Sequence, residues 1–135
     1  MSHIKLLILP SEISLLTSLN FFELYDSELS QLPKEIGLLT NLRTLNLSWN
    51  KLTSLPQKIG FLTNLESLIL SYNQLTTLPS NISMLTNLQR LYLYSANTLT
   101  SFPEEIKLLT NLKKLYMDHE HYHLVPNSLQ HIIKS

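Results

Sequence analysis

Apolar residues recur along the chain at a fixed separation, and this pattern predicts a stack of similar units. The segment LTNLRTLNLSWNKLTSLPQKIGF (39–61) is followed directly by LTNLESLILSYNQLTTLPSNISM (62–84), with leucines at the same positions. The prolines keep the same period, with spacings of 23, 23, 23, 24 and 23 residues, at Pro10, Pro33, Pro56, Pro79, Pro103 and Pro126. Such a period is typical of a solenoid in which each unit packs on its neighbours.

One unit divides into a strand and a return segment. Polar residues alternate with Leu45 and Leu47, which predicts a strand with one buried face. Pro56 lacks an amide hydrogen, so it predicts the turn onto the opposite side of the unit. Leu52, Leu55 and the following apolar positions 59 and 62 are expected to point inward from an irregular or short helical return segment.

These units predict a single domain over residues 1–135. It comprises a partial repeat at 1–15, repeats at 16–38, 39–61, 62–84, 85–108 and 109–126, and a capping helix at 127–135. The partial repeat has only the return half of a unit, with Leu6, Leu9, Pro10 and Ile13. The possibility that the chain is a piece of a longer array therefore stays open. Leu129, Ile132 and Ile133 have helical spacing behind Asn127 or Ser128, either of which can cap a helix.

The unit Leu-x-x-Leu-x-Leu-x-x-Asn-x-Leu-x-x-Leu-Pro-x-x-Ile resembles the leucine-rich repeat family, in the 23-residue LPxxI type of Ras-group and bacterial proteins. The resemblance implies an α/β solenoid: an arc with a parallel sheet on its concave face. It also implies that Asn50, Asn73 and Asn97 turn inward and bond backbone groups of neighbouring repeats. Ser27 and Glu120 occupy this position in the first and last units, where we expect the ladder to weaken.

Aromatic residues are concentrated at the strand positions that face away from the leucines. Seven of the eleven Phe, Trp and Tyr residues lie there: Phe21, Tyr25, Trp49, Tyr72, Tyr92, Tyr94 and Tyr116. A surface rich in Tyr and Trp is typical of a protein-binding site. The alternative is that aromatics simply favour strands and pair across them. Their concentration favours the binding face.

The sequence therefore predicts a non-catalytic interaction module that binds a protein or peptide on the concave face. The candidate binding residues are Phe21, Tyr25, Asn46, Trp49, Ile69, Tyr72, Arg90, Tyr92, Tyr94, Lys114, Tyr116 and His119. The alternative is a self-assembling, dimeric structural protein that pairs through this face or through a strand edge.

Charge constrains the partner. Lys+Arg and Asp+Glu both number 10, so no net field favours nucleic acid or an anionic membrane, and we expect neither as a partner. Acidic residues lie near the first repeat and basic residues near the last: Glu23, Asp26 and Glu28 against Arg90, Lys113 and Lys114. A partner of opposite polarity would dock in one orientation. Scattered surface charges are an equal alternative.

One unit is a residue longer than the others, near Ser95 or Ala96. A bulge there would re-aim Tyr92 and Tyr94. The alternative, a neutral loop insertion, is favoured.

Candidate chemistry is sparse. In an extended chain His119, His121 and His123 would lie on one side at about 7 Å intervals, a weak candidate site for zinc or nickel with Glu120 nearby. Because these ligands share one segment and His131 is the nearest further candidate, we expect no metal and no other cofactor. With no cysteine and only two glycines, neither a thiolate nor a phosphate-binding loop is available, and we expect no enzyme.

The N-terminus carries a short apolar run, Leu6 to Leu9. A signal-peptide core needs about 7–15 apolar residues, and a membrane span needs about 20. We therefore expect a cytoplasmic protein, and secretion by a leaderless route stays open.

Overall fold

The computed structural model describes residues 7–96 and 98–135, which form one parallel sheet backed by short helices. The strands lie side by side in chain order: β1 Phe21–Glu23, β2 Thr44–Asn46, β3 Ser67–Ile69, β4 Arg90–Leu93, β5 Lys114–Met117 and β6 Ile133–Lys134. Neighbouring strands are in register by one repeat, so Leu45 lies opposite Leu68, and Leu68 opposite Leu91. The expected α/β solenoid with one strand per repeat is confirmed.

Each return segment contains a 3-10 helix. These helices are η1 Ser11–Leu15, η2 Lys34–Leu38, η3 Gln57–Phe61, η4 Ser80–Met84, η5 Glu104–Leu108, η6 His119–Leu124 and η7 Asn127–Ile132. A repeat proline caps the N-terminus of every one of them except η6, which Asp118 precedes. Proline suits this position because its fixed φ continues into the helix and its missing amide hydrogen would have no partner there.

The repeating leucines form the core between sheet and helices. Leu45, Leu47, Leu52 and Ile59 are completely buried, as are their equivalents in the next repeat. Burying each of these side chains contributes about 1.5–3 kcal/mol. Phe61 lies in a return segment as expected, but its side chain is 40% exposed.

The buried asparagine ladder is confirmed at two positions. The Asn50 amide donates to the carbonyls of Leu24 (2.8 Å) and Leu47 (3.0 Å), and its oxygen accepts from the Leu29 amide at 2.8 Å. Asn73 donates to Leu47 and Leu70 and accepts from Leu52 in the same way. Asn97 lies outside the described residues, as does Leu6.

The ladder changes at both ends. The Ser27 hydroxyl is too short to span repeats and bonds the carbonyl of Tyr25 at 3.1 Å instead. Glu120 does not enter the interior: it lies exposed in η6.

The C-terminal segment differs from a simple capping helix over 127–135. The 3-10 helix η7 ends at Ile132, and the chain then adds the strand β6, in which Ile133 lies opposite Leu115 and Lys134 opposite Tyr116. Leu129 and Ile132 are both 7% exposed, because their three-residue spacing matches one turn of a 3-10 helix.

No helix formed by residues 7–96 or 98–135 has the length and apolar character needed to span a bilayer.

Candidate functional site

The outer sheet face, defined as the side of β1–β5 opposite the leucine core together with the outward-facing residues among the three that follow each strand, carries the predicted binding residues. Four of its aromatic side chains are well exposed: Phe21 (55%), Tyr25 (57%), Trp49 (54%) and Tyr72 (41%). Tyr92, Tyr94 and Tyr116 are half-buried. None of the seven aromatic side chains lies in the core, and all seven rings are at least partly exposed to solvent.

Trp49 and Tyr72 stand on left-handed backbone. Both have φ of 59°, and the equivalent residues Asp26 and Ser95 have φ of 53° and 52°. This conformation follows the strand in four successive repeats and re-aims the residue there. For an L-residue other than glycine it costs about 1–2 kcal/mol, and bulky side chains are uncommon in it.

Two pairs of rings stack across neighbouring repeats. Trp49 and Tyr72 have centroids 3.8 Å apart and planes 10° apart, and Tyr92 and Tyr116 have values of 4.2 Å and 6°. Tyr94 joins the second pair at 6.0 Å from Tyr116, with its ring tilted by 54°. The stacking follows from the register, because equivalent residues on adjacent parallel strands lie about 4.8 Å apart.

Small polar residues separate the two aromatic pairs. Ser48 and Ser71 are buried beside the strand ends, and the Ser71 hydroxyl accepts from the Tyr94 amide at 3.1 Å. Asn46 donates to the Glu23 carboxylate at 2.9 Å and accepts from the Ser48 hydroxyl at 2.7 Å. Ile69 is half-buried on the strand between Asn46 and Tyr92. The centre of the face therefore carries side chains smaller than the aromatic rings, and hydrogen bonds hold its polar groups in place.

The acidic and basic residues of the outer sheet face lie toward opposite ends of the sheet, as the sequence indicated. Arg90 and Lys114 lie opposite each other on β4 and β5, three strands from Glu23 on β1. Glu28 pairs with Lys51 at 3.4 Å, and Lys113 donates to the Gln89 side chain at 3.3 Å.

Two phenols of this face ionise less readily than usual. Burial raises the pKa of Tyr92, and the hydrogen bond and charge of Tyr116 raise it further, while Arg90 opposes the shift. Burial also raises the pKa of Tyr94, with added contributions from Tyr116, Tyr122 and Asp118. Both hydroxyls therefore stay neutral at physiological pH and can donate hydrogen bonds.

The expected one-sided arrangement of three histidines is wrong. Residues 119–124 form the helix η6 instead of an extended chain, which turns His121 inward to 7% exposure while His119 and His123 remain exposed. His119 packs near the Tyr122 ring at 5.0 Å. Within 7–96 and 98–135, no three His, Asp or Glu side chains converge in a way that could hold a metal ion.

The register locates the extra residue of the fourth repeat after the strand. Tyr92 pairs in register with both Ile69 and Tyr116, so the insertion does not re-aim it. The left-handed Ser95 follows, with its amide bonded to the Asp118 carboxylate, and Ala96 is buried where the preceding repeat has Asn73. These contacts favour the loop insertion over the bulge.

A row of exposed apolar side chains on the helix side was not singled out from the sequence. The last residue of each of the first five 3-10 helices belongs to it: Leu15, Leu38, Phe61, Met84 and Leu108, which are 39–77% exposed. The signal was present as an apolar residue directly before a further leucine at the end of each of these helices, but inward and outward positions of such a pair look alike in a sequence.

Comparison with known proteins agrees with this geometry. Residues 8–134 match the family model described as a leucine-rich repeat region. The chain belongs to the leucine-rich repeat family. It is also similar to the solved structure of a leucine-rich repeat protein of Leptospira interrogans, with 43% identity and a TM-score of 0.76. That match covers 82% of this chain and 28% of the solved chain, so this chain corresponds to under a third of its length. A comparison with curated proteins finds no match.

Leucine-rich repeat proteins commonly bind proteins and are typically not enzymes. Family membership therefore supports a protein-interaction role in general terms.

Proposed function

We propose that this leucine-rich repeat protein is a non-catalytic module that binds a protein or an extended peptide on its outer sheet face. The observation that carries the proposal is the pair of aromatic stacks, Trp49 with Tyr72 and Tyr92 with Tyr116, which stand on that face outside the core.

The stacks favour binding because their rings are already ordered. A free aromatic side chain loses rotamer freedom when a partner immobilises it, and this loss weakens association. Here each of the four rings packs on a ring of a neighbouring repeat, so most of that freedom is lost on folding. Large, rigid rings separated by small serines are typical of efficient protein-binding surfaces.

The uneven charge favours one orientation of the partner. Glu23 lies on β1 and the basic residues Arg90 and Lys114 lie on β4 and β5. A partner with a cationic group near β1 and an anionic group near β5 would be attracted in one direction and opposed in the other.

The proposal is tested by affinity capture from a lysate of the source cell, followed by mass spectrometry. The test variant combines Trp49→Asn with Tyr92→Ala, which disrupts both stacks while asparagine tolerates the left-handed backbone at 49. The matched control is Phe61→Ala, which removes an exposed ring from the helix side. We expect a protein captured by the wild type and the control but lost from the double variant. Equal capture by all three would place the binding site elsewhere.

Self-association through the sheet edge is a second candidate. It is favoured by β6, which ends the strand order and has a neighbour only in β5 among the described strands. A terminal strand presents backbone groups that can pair with another chain.

A further inference from the structure

Strand β6 adds a third cation to the two basic residues of the outer sheet face. Arg90 and Lys114 lie opposite each other on β4 and β5, and Lys134 of β6 lies opposite Tyr116. We propose that this basic end, formed by Arg90, Lys114 and Lys134, binds an acidic segment of the partner through glutamate or aspartate carboxylates. The inference rests on the proposed function, and it assigns chemistry to one end of the same face.

The register places Lys134 on the outer side of the sheet. The preceding residue, Ile133, lies opposite the buried Leu115 and packs against the core. Because successive residues of a strand point to opposite faces, Lys134 shares the outer face with Tyr116, and it is exposed. The sequence did not indicate this cation, because the pattern of its last residues predicted a helix.

The three cations have no carboxylate partner within the part of the chain that the structure describes. The ion pairs found there involve other side chains, and the carboxylate at the chain end pairs with none of the three. Glu66, which precedes the strand next to Arg90, pairs with Arg43. Like charges directly opposite each other destabilise a sheet, so an anion that bridges Arg90 and Lys114 would relieve their repulsion.

The spacing of the cations favours carboxylates spread along a peptide over one compact anion. With strands about 4.8 Å apart and residues about 3.3 Å apart along a strand, the Cα atoms of Lys114 and Lys134 are about 8 Å apart, and those of Arg90 and Lys134 about 12 Å. Alternate side chains of an extended peptide are about 6.6 Å apart, so two carboxylates can reach two of these cations at once. A phosphate group would meet all three only if their side chains converged on one point.

A pair of neutral phenols accompanies the cations. Burial and the hydrogen bond with Tyr116 raise the pKa of Tyr92, so its hydroxyl carries no negative charge that would repel an anion. One hydroxyl of the pair donates to the other, which leaves a second hydrogen available to a carboxylate. The stacked rings also offer apolar contact to the methylene groups of a glutamate.

Acidic residues of the same face limit where the segment can lie. Asp118 follows Tyr116 by two residues, and its carboxylate accepts from the Ser95 amide. It would repel a carboxylate of the partner, so the acidic segment is expected near the start of β4 and β5 and beside Lys134. Glu23 on β1 is three strand spacings from β4, or roughly 14 Å, and therefore opposes this contact less.

The test uses two capped peptides that differ only in charge, acetyl-Gly-Glu-Gly-Glu-Gly-amide and its counterpart with glutamine at both glutamate positions. Each is titrated at low ionic strength into the ¹⁵N-labelled chain, and the backbone amide shifts are followed by NMR. We expect saturable shifts at Arg90, Lys114 and Lys134 with the glutamate peptide, and binding of the glutamine peptide weaker by about fivefold or more. Equal binding of the two peptides, or shifts confined to other strands, would overturn the assignment.

Two double variants separate the local site from the net charge. Lys114→Gln/Lys134→Gln removes two of the three cations, and we expect it to weaken binding of the glutamate peptide by about fivefold or more. The matched control is Lys34→Gln/Lys107→Gln, which removes the same charge from exposed lysines of η2 and η5 and should bind as the wild type does. Equal weakening in both would mean that net charge alone attracts the peptide, and would contradict the proposal.

Inorganic phosphate is the comparison for a compact anion. It is titrated under the same conditions, and we expect it to bind at the basic end less tightly than the glutamate peptide does. Tighter binding of phosphate would overturn the choice of a carboxylate segment.

The outcome is separable from that of the proposed function. If lysate capture depends on Trp49 and Tyr92 but NMR shows no preference for the glutamate peptide, the assignment of the basic end fails and the binding face stands. If the glutamate peptide binds at the basic end but capture does not depend on the two stacks, the proposed function fails instead.

Discussion

Trp49 is the residue at which folding and function make different demands. Its φ of 59° is costly for a side chain of this size, yet its ring is half-exposed and adds nothing to the core. The hydrophobic pattern identified Trp49 as outward-facing, but no feature of that pattern encodes the sign of φ.

The stability of variants at Trp49 should follow how readily the new residue adopts the left-handed backbone. Both Trp49→Asn and Trp49→Ala lose the stack with Tyr72, but asparagine adopts the left-handed region more readily than alanine. We expect Trp49→Asn to unfold with a free energy about 0.5–1 kcal/mol above that of Trp49→Ala, as measured by urea denaturation. An alanine variant as stable as the asparagine variant would mean that this backbone is not left-handed in solution.

The buried asparagine at position 50 should be far more important for stability than an exposed one. Asn50→Ala would leave the Leu29 amide and the Leu24 carbonyl without their partner, and each such buried group costs about 1–3 kcal/mol. We expect a loss of about 3 kcal/mol in urea denaturation.

Asn41→Ala is the control for that measurement. Asn41 also bridges two repeats, donating to the Thr17 carbonyl at 2.8 Å, but it is exposed and water can replace it. Its loss should cost about 1 kcal/mol or less. Similar losses in both variants would contradict the buried role of Asn50.

At the scale of the element, the LTNL segments hold a second row of asparagines that the sequence analysis did not assign. Their side-chain amides each donate to a threonine carbonyl of the preceding repeat, over 2.6–2.9 Å, at Asn41, Asn64, Asn87 and Asn111. The strands are only two to four residues long, so these bonds and the inner ladder supplement few backbone pairs.

The 3-10 helices η2, η3 and η4 pack closely because glycine occupies the fourth position of the first two. A Cβ at Gly60 would lie 2.6 Å from the backbone carbonyl oxygen of Asn81, and one at Gly37 would lie 2.5 Å from that of Lys58. Neither glycine has a positive φ, so the requirement is space and not conformation.

Gly60→Ala should therefore destabilise the stack. Overpacking against backbone costs about 1–3 kcal/mol, which exceeds the smaller gain that alanine brings through the unfolded chain. Ser83→Ala, at the same position of η4, is the control, because a Cβ is already accommodated there. Thermal unfolding should show a lower midpoint for Gly60→Ala alone. A midpoint at or above the wild-type value would show that neighbouring helices separate easily.

At the scale of the whole molecule, two surfaces are open: the aromatic outer face and the apolar row from Leu15 to Leu108 on the helix side. The sheet also ends at β6. Together they make the solution mass informative about self-association.

We expect the chain to remain monomeric across a concentration series measured by light scattering. The edge strand β6 leaves backbone groups that a second copy can pair with, but it offers only two residues, so we expect this contact to be too weak to hold a dimer at the concentrations measured. A mass that doubles with concentration would favour the self-assembling alternative. In that case Trp49→Asn/Tyr92→Ala would show whether the outer face forms the contact.

The architecture and the division between inward and outward positions follow from the repeat pattern of the chain. With leucines at constant places in a 23-residue period, the apolar side chains are buried when equivalent residues of neighbouring repeats stack on one another. The strands, the turns and the core could therefore all be predicted. For the same reason, the seven aromatics can be assigned to one face from the sequence.

The details that make a site of that face arise from packing between repeats. The left-handed backbone at Trp49 and the parallel rings depend on distances between repeats, which a period does not contain. The histidine segment shows the same limit: its alternation suggested an extended chain, but residues 119–124 form a 3-10 helix where the earlier repeats have none before the proline, and this helix turns His121 inward. Local pattern fixes which face a residue prefers, whereas contacts between repeats decide its conformation and its neighbours.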